Sequence, residues 1–377
     1  DQPILLGGQA GESPIPLEEE RALAQSLGGM RLEDLLAQFP PQHICRLSMA
    51  FHEHERLSAA LDRLGMEAVA AVRDGAQVLL LDDGDCWRDG NLWIDPHLAV
   101  AQVDRALRLA EADAQRGDSE RPKAPPVYLR RKAGIIVRSG ALRTLHDLIM
   151  VFGMGANAVN PYLLLRMSTL GENHKAEPET RSARVANVIT ALCKGLEKVI
   201  STVGCHELRG YGRLFASIGL AAEIAERFET VNYCGSAKVG RGWAQLEEDA
   251  RARAAIVHGK SPAQMARTYH FYPKLWKIAG KVATGEATYS EFLAQIEALE
   301  AEQPVALRHA LGFRFSGQAG PIPAEEVDIG LKGNDLPFVI SSMSFGSQGE
   351  TAFRAYAEAA YRLNMICLNG EGGEIPD

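Results

Sequence analysis

Two short strings near the end of the chain carry the residue types that a cofactor site needs. Ser341-Ser342-Met343-Ser344-Phe345-Gly346-Ser347 follows the apolar run Pro337-Phe338-Val339-Ile340. Asn369-Gly370-Glu371-Gly372-Gly373-Glu374 follows a second apolar run, Met365-Ile366-Cys367-Leu368. Small residues at the carboxyl end of a parallel strand let a flat ring approach the backbone, whose amides and carbonyls can read its polar edge. Three glycines beside two carboxylates make a flexible loop for the same face. Glycine-rich turns are common everywhere, so it is the pairing on adjacent strands of one β-α-β unit that predicts a cofactor site.

Other constellations are weaker. Gly153-Met154-Gly155-Ala156-Asn157-Ala158 matches a dinucleotide fingerprint as text, but that motif must follow a strand and open a helix. Here a helical pattern precedes it and Pro161 comes too soon for a new helix, so a helix stop followed by a strand is expected. Gly210-Tyr211-Gly212 is weaker still. His52 and His54 could chelate a metal from one face of a strand, yet no third ligand follows at a convincing spacing. His206-Glu207 reads as polar loop, and Lys194 and Lys198 as a solvated face near a helix C-terminus rather than an anion site.

The elements that must position these residues follow from one recurring pattern: an amphipathic run, a glycine, then a short apolar strand. Leu57–Arg73 with Gly75 leads to Gln77–Leu81, and Leu142–Phe152 with Gly155 leads to Asn157–Asn160. A third copy without the glycine is Ala352–Arg362 leading to Met365–Leu368. Gly134–Arg138 supplies the strand before the second helix. Such alternation predicts an α/β fold with mainly parallel strands, including Val78–Leu81, Ile135–Val137 and Ala158–Asn160 in one sheet. Arg181–Thr202 reads as one long helix, Leu214–Phe228 as another interrupted at Gly219, and Ser261–Ala298 as helical. Gln115–Pro126 reads as a surface loop and the Pro/Gly-rich Glu302–Glu326 as a linker.

Composition excludes several function classes. The 377 residues are 46% hydrophobic and 23% charged, ordinary for a chain that buries a large core. No stretch approaches the ~18 uncharged apolar residues of a membrane-spanning helix. A formal net charge of −8 argues against unaided nucleic-acid binding. The start, Asp1-Gln2-Pro3-Ile4, lacks basic and apolar signal-peptide regions and an initiator Met, so a fragment or processed chain is expected. Cys45, Cys86, Cys193, Cys205, Cys234 and Cys367 are scattered without a C-x-x-C pair, which favours reduced thiols in a cytoplasmic protein and no metal or cluster before residue 300.

The chain resembles the large subunit of glutamate synthase. Ile340–Ser347 followed by Asn369–Glu374 looks like the start of that family's FMN-binding barrel. Ala71–Gly75 with Leu79–Asp83, Phe152–Ala156 with Ala158–Tyr162, Lys194–Lys198, Gly235–Gly240 and Ala306–Phe313 are similar to its central domain. The resemblance runs from about Leu57 to the C-terminal end. Asn369 stands where the family usually has Thr, and Arg213 near a position where it favours Gln.

The resemblance implies a mainly parallel-sheet central domain at 1–300, a linker at 301–335 and the first β-α-β of a (β/α)8 FMN barrel at 336–377. It implies L-glutamate synthesis from 2-oxoglutarate and glutamine-derived ammonia by hydride transfer from reduced FMN, with the central domain shaping the ammonia tunnel. Ser341, Ser342, Met343, Ser344 and Gly346 would cradle FMN, and Glu371 would be the catalytic group near the tunnel exit. No nucleophilic Cys opens the chain, so glutamine hydrolysis falls to an amidotransferase domain or subunit. The family's iron–sulfur ligands lie deeper in the barrel and are absent here. The remaining barrel and an NADPH- or ferredoxin-dependent electron donor are the implied partners. Two alternatives are a related FMN oxidoreductase with another amine substrate and a non-catalytic scaffold subunit.

Overall fold

The computed structural model describes residues 2–9, 11–110, 128–170, 178–234, 240–260, 271–302, 311–312, 320, 322–341, 343–369, 373 and 375. They fall into two compact units, Asp1–Met265 and Ala266–Asp377.

The strands of the first unit are, in chain order, β1 (Ile44–Ser48), β2 (Ala50–His52), β3 (Val78–Asp82), β4 (Asn91–Trp93), β5 (Gly134–Arg138), β6 (Ala158–Asn160), β7 (Ser217–Ile218) and β8 (Asn232–Tyr233). Four of them form one sheet in the order β1-β3-β5-β6, every neighbouring pair parallel, with Leu79 opposite both Cys45 and Ile135. The three strands expected to share a parallel sheet do so. Edge strand β1 escaped the sequence reading because exposed Arg46 interrupts it and it shows no apolar run. Antiparallel β2–β4 and parallel β7–β8 are separate pairs.

Side-chain alternation divides the sheet into two faces. Leu79, Leu81, Ile135, Val137 and Val159 join the main core with the crossover helices Leu57–Arg73, Pro96–Leu109 and Leu145–Gly153. Val78, Leu80 and Ile136 pack on the opposite side with Leu5 and Leu32 from the N-terminal segment. Both faces are therefore covered, which is why β3 reads as an unbroken apolar run. The N-terminal segment also extends the sheet: Leu5 donates to the Val159 carbonyl at 2.8 Å and Val159 to that of Pro3 at 2.9 Å.

The helix–glycine–strand pattern has a common cause. After Leu57–Arg73, the Gly75 amide bonds Val72 O and the Ala76 amide bonds Ala71 O, with Gly75 at φ +102°. Gly155 repeats this at φ +121°, its amide on Phe152 O and that of Ala156 on Val151 O. Both are left-handed stops that satisfy the last carbonyls of a helix and send the chain back into the sheet. The second helix starts at Leu145, later than the periodicity suggests, because Thr144 and Asp147 form a capping box ahead of it.

Two local expectations are corrected. Pro161 does not prevent a new helix: Tyr162–Ser168 begins directly after it, with Pro161 itself as the N-cap residue. Leu214–Phe228 is not one interrupted helix. Ser217–Ile218 is strand, Gly219 turns at φ +71°, and only Ala222–Phe228 is helical. Pro178–Thr202 is one helix, as expected. The expected loop Gln115–Pro126 lies outside the described residues.

In the second unit, helices Phe271–Thr284 and Tyr289–Glu302 pack together. Strands β9 (Val339–Ser341) and β10 (Ile366–Leu368) are parallel and joined by the helix Glu350–Arg362, giving the expected β-α-β. The third copy of the pattern has its stop after all. Asn364, at φ +44°, takes the left-handed position, its amide on Tyr361 O and that of Met365 on Ala360 O.

Candidate functional site

The cofactor site expected from sequence begins where β9 ends. Ser341 and Leu368 are partners in register and the last residues of their strands, so both following loops leave from the same edge. Ser344 precedes a tight turn at Phe345–Ser347, and the Ser347 hydroxyl donates to the Ser344 carbonyl at 2.8 Å. The Phe345 amide donates to the Gly373 carbonyl at 3.3 Å, tying the serine-rich loop to the glycine-rich one. Phe345 also meets Phe353 edge to face at 6.0 Å, which anchors the turn on the crossover helix.

Met343 adopts φ +61°, a left-handed conformation uncommon for a side chain of its size. It is 58% exposed, and no described heavy atom lies within 4 Å of the position a Cβ would take on Gly346. A ring can therefore approach this backbone without displacing described atoms. Ser341, Met343, Ser344 and Gly346 lie together where β9 ends and the turn begins. Ser342 and Glu371 lie outside the described residues.

Sequence reading missed a second constellation at the carboxyl edge of the four-stranded sheet. Asp82, the last residue of β3, receives Arg138 at 2.7 Å and Arg46 at 2.8 Å, and Arg138 also donates to the Gly8 carbonyl at 2.7 Å. Asp83 is only 2% exposed; one of its oxygens accepts from the Ser139 hydroxyl and the Gly140 amide, both at 2.8 Å. Burial raises the Asp83 carboxyl above its ordinary range, and those hydrogen bonds only partly oppose it. Tyr162 stands beside it, its hydroxyl accepting from Trp87 Nε1 at 3.2 Å and itself raised by burial and then by the Asp83 charge. The available signal was Asp82-Asp83 directly after an apolar strand, since strand ends in open α/β sheets are where polar groups converge.

A third cluster is structural. Asp104 accepts from Arg108, Arg130 and Arg213, each at 2.7 Å. Burial alone would raise its carboxyl, but the three guanidinium groups outweigh burial and hold it below the ordinary range. Arg213, singled out as a departure from the family pattern, thus serves as a clamp; it also donates to the Phe228 carbonyl at 3.1 Å.

The remaining sequence candidates do not assemble. His52 ends β2 and His54 lies in the following turn, so they do not share a strand face, although their rings sit 5.1 Å apart. Among the described residues no three His, Cys, Asp or Glu side chains are grouped to hold a metal. Nor is any described helix long and apolar enough to cross a membrane.

Comparison with known proteins gives these sites a context. The family described as "Glutamate synthase central domain" matches residues 3–221, and "Conserved region in glutamate synthase" matches 275–377. The first match begins well before Leu57, where the resemblance in the sequence starts. The chain is 27% identical over 353 residues to ferredoxin-dependent glutamate synthase 2 of Synechocystis, covering 84% of this chain and 21% of that protein. It is 25% identical over 339 residues to the glutamate synthase [NADPH] large chain of Bacillus subtilis, covering 85% and 20%. To glutamate synthase [NADH] of Schizosaccharomyces pombe it is 26% identical over 367 residues, covering 90% and 16%. The chain thus spans about a fifth of the length of the curated relatives it matches. With a central-domain match across more than half of its length, this chain belongs to the glutamate synthase family.

Proposed function

We propose that this chain is the central region of a glutamate synthase-like flavoenzyme, continuous with the first β-α-β of its FMN barrel. In this reading residues 1–300 are the central-type domain, 301–335 the linker and 336–377 the beginning of the barrel. The complete protein would make L-glutamate from 2-oxoglutarate and glutamine-derived ammonia. The observation that carries the reading is the parallel β9–β10 pair with its two loops joined at the carboxyl edge. FMN, when bound, supplies the hydride that reduces the imine formed from 2-oxoglutarate and ammonia.

The chain's own residues have narrower tasks. Ser341, Ser342, Met343, Ser344 and Gly346 offer backbone groups and small side chains to one face of the flavin. Glu371 handles the proton that ammonium must lose before its nitrogen can attack a carbonyl. The first unit acts as a rigid connector that shapes the ammonia tunnel, supported by a parallel sheet covered on both faces. The remaining barrel strands, an amidotransferase domain, the iron–sulfur ligands and an NADPH- or ferredoxin-dependent donor complete the enzyme from outside this chain.

Flavin titration tests the reading. One strand end must overcome an immobilisation cost of ~4–15 kcal/mol, and FMN phosphate in such barrels is held by late strands. The 377-residue chain should therefore bind FMN weakly, and a polypeptide completing the barrel tightly. In the complete protein, Met343→Trp with Ser344→Trp should expel the flavin. Glu371→Gln should retain it while lowering turnover with 2-oxoglutarate. Tight binding by the 377-residue chain, or a Trp variant that keeps its flavin, would overturn the assignment.

A further inference from the structure

A cleft of about 280 Å³ opens beside the carboxyl ends of β3 and β5, where parallel sheets leave crevices. Its walls come from the segment after β3, from β4, from the segment after β5 and from the helix Trp243–Val257. The body of the cleft is apolar. Trp87, Ile256 and Val257 border it and are 48%, 41% and 46% exposed, so apolar surface here stays open to solvent. Trp87 Nε1 donates to the Tyr162 hydroxyl at 3.2 Å, which fixes the indole and leaves only its ring to contact a ligand.

Three charged residues line the cleft, and only two of them can meet a ligand. The Asp83 carboxyl accepts from Ser139 and Gly140, is hydrogen-bonded by Tyr162 as well, and is shut off from solvent. Arg143 and Arg253 are exposed, and neither guanidinium forms an ion pair or hydrogen bond among the described residues. Arg253 acts on Asp95 only through space. Its guanidinium lies 4.7 Å from the Trp93 ring centroid, a contact that keeps the charge at the cleft wall. Two guanidinium groups with one buried carboxylate behind them suit a ligand carrying a single negative charge. Cys86 also borders the cleft, but its thiol donates to the Met49 carbonyl at 3.2 Å and burial pushes its pKa up, so it is no nucleophile. The cleft is built to bind rather than to react.

We infer that this cleft binds a small apolar monocarboxylic acid. The aromatic or branched body lies against Trp87, Trp93 and Leu163, and the carboxylate meets Arg143 and Arg253. The volume stands at the small end of ligand pockets, which run from ~300 to ~1,000 Å³, and suits one such molecule. Every residue used belongs to Asp1–Met265, so this inference and the flavin reading can fail independently.

Calorimetric titration of the 377-residue chain with 3-phenylpropionate, benzoate and isovalerate tests the inference. At least one of these acids should bind at millimolar concentration or below, with tryptophan fluorescence changing over the same range. The matching amide keeps the shape without the charge and should bind at least about tenfold more weakly than its acid. Arg143→Gln with Arg253→Gln changes only exposed side chains. It should bring the acid down to the affinity of its amide and leave the amide unaffected. Trp87→Ala should weaken acid and amide alike. Circular dichroism verifies that both variants are folded. A longer polypeptide that completes the barrel should bind the acid as the 377-residue chain does. The inference is overturned if no acid binds the folded chain, or if acid and amide bind equally. It is equally overturned if the double arginine variant keeps the preference for the acid, or if the longer polypeptide no longer binds it.

Discussion

At Gly155 two demands meet in one residue. Its φ of +121° is a conformation that side chains rarely adopt, and an added Cβ would come within 2.5 Å of Asp104 Oδ1. Gly155→Ala should destabilise the first unit by about 2–3 kcal/mol, combining backbone strain with displacement of a buried carboxylate. Chemical denaturation measures this; an unchanged midpoint would contradict it. Asp104 and Asp83 respond oppositely to pH. The Asp104 carboxyl is held low, so its contribution is present above the unfolded value of ~3.9 and is lost as pH falls through the folded one. The Asp83 carboxyl is raised, so between ~3.9 and its higher folded value the native state keeps a proton that the unfolded chain releases. Stability falls as pH rises through that window. Asp83→Asn removes the penalty while preserving an acceptor for Ser139 and Gly140. At pH 7 it should melt at the same temperature as the parent or higher, and a clear drop in melting temperature would refute this account.

Helix ends decide the element scale. The glycine stops at Gly75 and Gly155 were legible because few other residues accept a left-handed position. The equivalent stop at Asn364 was not, since asparagine serves many roles in loops. It is held there by its side chain, whose Nδ2 donates to Gly333 O at 3.0 Å and Asp335 Oδ1 at 2.9 Å. Asn364→Ala loses both bonds and retains the strain, and should destabilise the helix Glu350–Arg362 by about 1–2 kcal/mol. Hydrogen exchange on that helix checks the prediction, and unchanged protection would count against it. At the other crossover, Thr144 Oγ1 accepts from the Asp147 amide at 3.2 Å while the Asp147 carboxylate accepts from the Thr144 amide at 2.9 Å. Thr144→Ala should cost about 1 kcal/mol, read as a shifted denaturation midpoint.

At the scale of the whole molecule, apolar burial is unevenly shared. All three core clusters lie within Asp1–Met265, whereas among the described residues of Ala266–Asp377 only Leu299 and Ala360 are buried hydrophobics. Phe338, Val339, Met343 and Leu368 instead stand exposed around the β9–β10 pair. A fragment spanning 1–265 should therefore unfold cooperatively, while 266–377 alone should bind a hydrophobic dye and melt without a sharp transition. The reverse behaviour in calorimetry would show that the core has been misplaced. Sequence by itself determined the parallel α/β class, the buried strands β3 and β5 and the strand-end position of Ser341–Gly346, because apolar runs and left-handed glycines act locally and leave periodic traces. It did not show that β9, read as a buried strand from its apolar run, is largely exposed. It could not show that Asp83 would reach Ser139 and Gly140, that Arg213 would close on Asp104 from 109 positions away, or that Trp87, Arg143 and Arg253 would border one cleft. Those contacts join residues with no shared period, and only the packing of crossover helices against the sheet brings their side chains within reach.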